Sequence, residues 1–130
     1  MRIAFVATLF SATLPVAAVA SADEMNYGQA AALAAKDSAT LSVDQLAAIV
    51  ESESKAWSAV RQHCPEPVRK ADFEPFTVIM ELDASGKITR TWLKGDTAVA
   101  ICFNKGLGGQ TLAKPPHAPF YASYDMYWQQ

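Results

Sequence analysis

The chain is short of the side chains on which most site chemistry depends. Its 130 residues include two histidines, His63 and His117, and two cysteines, Cys64 and Cys102. These four do not fall at the spacings of a zinc site, and no Cys-x-x-Cys or Cys-x-x-Cys-His run supplies a redox or haem motif. Charged residues are sparse, at 18%, and basic ones never cluster, so nothing neutralises a row of phosphates. Nucleic acid is therefore not an expected partner, and neither is an anionic membrane surface. Gly-x-Ser-x-Gly, His-Glu-x-x-His and a phosphate-cradling glycine loop are all missing. The chain is read as non-catalytic, with no cofactor and no metal.

Only one long apolar run is present, and it stands at the start. Met1-Arg2 gives a positive charge, Ile3 to Ala20 is apolar apart from Thr8, Ser11 and Thr13, and Ala20-Ser21-Ala22 is a small-x-small exit before Asp23-Glu24. That order marks residues 1–22 as a cleavable secretory signal, with cleavage after Ala22 into the periplasm or medium. Pro15 and the absence of a following basic cluster argue against a retained membrane anchor. Cleavage leaves 108 of the 130 residues, with 10 basic and 13 acidic side chains and a net charge of −3. No stable membrane insertion is expected afterwards. In an oxidising compartment an even cysteine count favours a Cys64–Cys102 disulfide. It would close a loop of roughly 39 residues, worth about 3–4 kcal/mol.

The remainder divides by its periodicities. Residues 23–40 are alanine-rich but offer one large apolar side chain, Leu33, which predicts a frayed helix or a flexible lead-in. Residues 41–130 form a single domain. Ser42 with Gln45 makes a capping box, and Leu46, Ile49, Val50, Trp57, Val60 and Cys64 recur at helical steps, with Glu51, Ser52, Glu53, Ser54 and Lys55 covering the polar side. Pro65 and Pro67 stop that helix. Residues 73–82 alternate as a strand, Asp83-Ala-Ser-Gly86 turns, and residues 87–93 return as a second strand. Asp96 or Thr97 caps a short helix over 97–105, ended by Gly106. After a Pro-rich loop, residues 120–128 alternate as a third strand. The expected class is α+β: a small three-stranded antiparallel sheet with a long and a short helix packed on one face, in the order helix-strand-strand-helix-strand. The disulfide would join the two helices.

Few polar groups invite a functional role. His63 precedes Cys64, but adjacent helical residues point apart and a bridged cysteine is no nucleophile. His117 sits in a loop among prolines, where a lone histidine is solvated. Glu51 and Glu53 cannot share a helix face, and in the Glu81 and Asp83 pair the second belongs to a turn, so neither makes a glycosidase pair. Asp83-Ala-Ser-Gly86 begins like a calcium loop but does not continue as one. Aromatic residues are the better lead. One alternating set of the third strand must be core and the other exposed. Tyr121 and Tyr127 share the second set, and with Trp92 they are the candidate protein contacts.

From Phe76 to Trp128 the pattern resembles the C-terminal domain of TonB-like energy transducers. The marks are an alternating strand, the Asp83-x-x-Gly86 turn, a strand ending near Gly95, a short helix carrying Cys102, and Lys114-Pro115-Pro116 before a last strand. A cysteine in that helix is similar to a stand-alone subgroup of such domains. A cleavable signal and the lack of a proline-rich spacer depart from a transducer, so energy transduction is not implied. The resemblance implies the fold and a habit of binding proteins by strand addition at a sheet edge. The expected activity is that of an envelope protein-binding module whose partner is another envelope or secreted protein. The alternative is an inhibitor or immunity-type protein that blocks a secreted enzyme.

Overall fold

The computed structural model describes residues 24–129. The expected export segment and its cleavage point lie outside the described residues. Helix α1 spans Tyr27–Ser38 and α2 spans Val43–Arg61; a 3-10 turn at Lys70–Phe73 leads into β1 (Phe76–Leu82). Then come β2 (Ile88–Lys94), α3 (Ala98–Leu107) and β3 (Phe120–Met126). The three strands form an antiparallel sheet in the order β2-β1-β3. Class, sheet and order from α2 onward match the sequence expectation. The central position of β1 follows from topology. A tight turn can only place β2 beside it, whereas α3 carries the chain across the sheet so that β3 joins the other edge.

The β1–β2 turn is set by local chemistry. Asp83 Oδ1 accepts from the Ser85 N–H and hydroxyl and from the Lys87 N–H. These bonds, that from the Ser85 hydroxyl foremost, hold the Asp83 carboxyl below its usual range. Gly86 has φ +89°, and a Cβ there would lie 2.3 Å from the Leu112 carbonyl oxygen, so no other residue fits. Opposite the turn the register slips between Glu81 and Leu82. Ile88 and Leu93 thereby reach the main core while Arg90 and Trp92 face the other way.

The main core lies between the sheet and helices α2 and α3. Phe76, Val78, Met80 and Leu82 of β1 meet Ile49, Trp57 and Val60 of α2 and Val99, Phe103 and Leu107 of α3. Trp57 stacks at 4.0 Å on Phe103 and at 4.1 Å on Tyr124, measured between ring centroids. Beside them Cys64 and Cys102 form the expected disulfide, with Cα atoms 5.7 Å apart. Gly106 is not the stop signal its sequence position implies, since α3 runs on to Leu107. A Cβ at Gly106 would meet Val60 Cγ1 at 2.5 Å; the glycine lets α2 and α3 approach. Gly106→Ala should therefore destabilise by about 1–3 kcal/mol in urea unfolding, although alanine favours helix by about 1 kcal/mol. A gain in stability would show that the helices separate freely.

The largest departure from expectation is residues 23–40. They contain a packed helix, α1, on the opposite face of the sheet, not a frayed lead-in. Asn26 caps it in a reciprocal box with Gln29. Ala30 and Ala34, one turn apart, are buried against Ile79 and Tyr121, with Trp92 and Leu33 at the margin. Small residues suffice because the sheet supplies the bulk, which lets the helix lie close. Two polar ties fix it: Trp92 Nε1 donates to the Met25 carbonyl at 2.8 Å, and the Tyr121 N–H donates to Asp37 Oδ2 at 2.9 Å. Element ends also shift: Phe73 belongs to the 3-10 turn, α2 stops at Arg61, and β3 stops at Met126.

Candidate functional site

The two edges of the sheet differ. Along β2, the Ile88 N–H donates to the Gln110 carbonyl and the Gly109 N–H to the Ile88 carbonyl, so a returning segment covers part of that edge. Along β3, one outward group is covered: the Tyr121 N–H, taken by Asp37. Since this N–H points away from β1, antiparallel alternation turns the N–H and C=O of Ser123 and Asp125 outward as well. Both residues are exposed, and neither backbone makes a hydrogen bond outside the sheet among the described residues. A row of unmet donors and acceptors of this kind is a template for another strand.

Helix α2 forms one wall beside that edge. Leu46, Ile49, Val50 and Glu53 of α2, with Ser38 and Leu41 before it, face Phe120 to Ser123 of β3 across a small cavity of about 100 Å³. Ile49 is buried, but Leu46 and Val50 are 47% and 49% exposed. The helical spacing placed all three in the core. The helix overhangs the edge of a narrow sheet, so the outer part of its apolar stripe has nothing beneath it. A larger hollow of about 460 Å³ lies at the other end of β3, lined by Lys70, Phe73, Glu74, Tyr127 and Trp128.

Glu53 is the unusual group. The sequence pattern put it on the polar side of the helix, yet it is 9% exposed and lines the groove. It has no hydrogen-bond or salt-bridge partner among the described residues. Burial, and secondarily the nearby charge of Asp125, push its carboxyl up to about 7. Tyr124 is raised as well, by burial and then by Glu53. The missed signal was positional: residue 53 is four from Ile49 and four from Trp57, on the apolar stripe itself.

The candidate contacts divide. Tyr127 is exposed, at 69%. Tyr121 is buried beneath α1, and Trp92 is half-buried with Arg90 stacked 4.9 Å from its ring centroid. The expectation of an exposed face at Tyr121 fails because α1 covers that face. Both residues serve instead a polar network in which Arg90 and the Tyr121 hydroxyl donate to Glu81 Oε2 at 2.7 and 3.1 Å. The structure does not pair Glu81 with Asp83, which is occupied in its turn. Glu51 pairs with Lys55 at 2.9 Å. Cys64 is bridged to Cys102, which removes the thiolate next to His63. His117 is more than a solvated loop residue: its Nδ1 lies 3.1 Å from the Pro119 carbonyl and its Nε2 3.5 Å from Asp37 Oδ1. Among the described residues no three His, Cys, Asp or Glu side chains converge as a metal set.

Fold and edge together define the class: a small disulfide-linked α+β domain in which an open stretch of the β3 edge lies beside a half-apolar groove. No family model matches the chain, and neither the curated proteins nor the solved structures give a match. No helix among the described residues is long and apolar enough to cross a membrane.

Proposed function

We propose that this chain is an exported, non-catalytic protein-binding module that takes an extended segment of another envelope or secreted protein as an additional strand on β3. The open edge at Ser123 and Asp125 carries this reading. Main-chain hydrogen bonds there would supply affinity, and the α2 groove would receive alternate side chains. The signal-like residues 1–22, the disulfide and the resemblance to TonB-type C-terminal domains support it. The aromatic contribution narrows to Tyr127, which stands exposed where β3 ends.

Ser123→Pro tests the edge directly. It removes an outward N–H that no sheet partner uses, and edge positions of this kind accept proline. The bridged protein should capture a partner from its native periplasm or medium, and Ser123→Pro should lose at least about tenfold in capture while melting normally. Val50→Asp, on the half-exposed lip of the groove, should do the same. Undiminished capture by both variants would refute strand addition. Recovery of a lytic enzyme would assign the inhibitor role to this surface.

A further inference from the structure

Strand addition leaves open what the partner segment must contain. A strand added to β3 alternates its side chains between the two faces of the sheet. Every second side chain would lie beside α2, between the apolar rim of Leu46 and Val50 and the Glu53 carboxylate. Glu53 is more than nine-tenths buried, has no hydrogen-bond or salt-bridge partner among the described residues and lines the cavity there. The side chain is largely buried while its carboxylate oxygens still reach the groove, and a carboxylate so stripped of water without a partner is costly. Nothing on α1, α2 or β3 supplies that partner. Among the described residues the titratable groups coupled to Glu53 are Asp125, of the same sign, and the Tyr124 phenol, and neither brings a positive charge. The exported part of the chain is itself net acidic.

On the strand-addition reading, we infer that the partner segment carries a lysine or arginine among apolar neighbours, and that Glu53 receives this cation in the α2–β3 groove. The stem of a long basic side chain would lie along Leu46 and Val50 while its head reaches the carboxylate. The cation would complete two things at once. It would give Glu53 a charged hydrogen-bond donor, and it would offset the repulsion from Asp125. A neutral or acidic side chain at that position would leave the carboxylate buried and unpaired, so the groove discriminates by penalty as well as by attraction.

A phage-displayed library of random heptapeptides, panned against the disulfide-bonded protein, tests this. Selection should enrich one basic position flanked at every second residue by apolar ones. In an enriched peptide, lysine replaced by norleucine should weaken binding about tenfold or more on the wild type and less than about twofold on Glu53→Gln. Equal losses on both proteins, or enrichment without a basic position, would overturn the role of Glu53 and leave strand addition standing. Enriched peptides that do not slow amide exchange at Ser123 and Asp125 would instead overturn strand addition itself.

Discussion

Replacing Cys64 and Cys102 together by serine is expected to lower the unfolding free energy by about 3–4 kcal/mol, from the chain freedom regained by the unfolded loop. The residues are 38 apart in sequence, and no other covalent tie joins α2 to α3. For a domain of this size the loss would move the melting temperature by about 12 °C or more. It is large against the ~5–15 kcal/mol that holds a typical domain together. The variant should still fold, because the Trp57–Phe103 stack and the Val60–Gly106 contact join the same helices beside the bridge. Urea unfolding of the oxidised, reduced and double-serine proteins measures the effect. Losses below about 1 kcal/mol in both altered forms would mean that packing alone fixes the two helices.

The second large effect concerns Glu53. Its carboxyl is raised from 4.5 in the ordinary state to about 7 in the fold. The folded protein therefore holds a proton that the unfolded chain has released, in the window between those values. Stability from this group is greatest below pH 4.5, falls as pH rises through the window, and is flat above about 7. Each tenfold change in proton affinity is worth about 1.4 kcal/mol, so the whole decline is about 3 kcal/mol. Asp72 and Asp83 act in the opposite sense and at lower pH. Their folded values are depressed below 3.8, so their contribution is present above that value and is lost in stronger acid. Glu53→Gln should remove the decline between pH 4.5 and 7 and should stabilise the protein at pH 8 by about 1–3 kcal/mol. An unchanged pH profile would place the Glu53 side chain in water. The same variant is expected to bind the partner segment less well, so stability and binding should move in opposite directions. Such a trade-off distinguishes a binding residue from a purely structural one.

The sequence carried the main architecture through local signals that packing did not override. Ser42 and Gln45 formed their predicted box, Gly86 took its positive φ, and the period of two in residues 76–82 became the central strand. What was illegible depended on partners distant in sequence. Helix α1 looked too poor in large side chains to pack, because the bulk it needs comes from strands far along the chain: Trp92 lies 67 residues from Met25 and Tyr121 84 residues from Asp37. Its own capping box, Asn26 with Gln29, has the same spacing as Ser42 with Gln45 and was a usable signal. Once α1 is in place, Tyr121 cannot be a surface contact. Glu53 escaped notice for a different reason. Residue type outranked position, although its spacing from Ile49 and Trp57 set it among buried neighbours.

Amide hydrogen exchange across β3, measured on the disulfide-bonded protein alone and saturated with the partner it captures, addresses strand addition most directly. Binding should slow exchange at Ser123 and Asp125 by about tenfold or more, and leave Ala122 and Tyr124 little changed because their N–H groups already pair with β1. Unaltered exchange at Ser123 and Asp125, with protection arising on another surface, would contradict it.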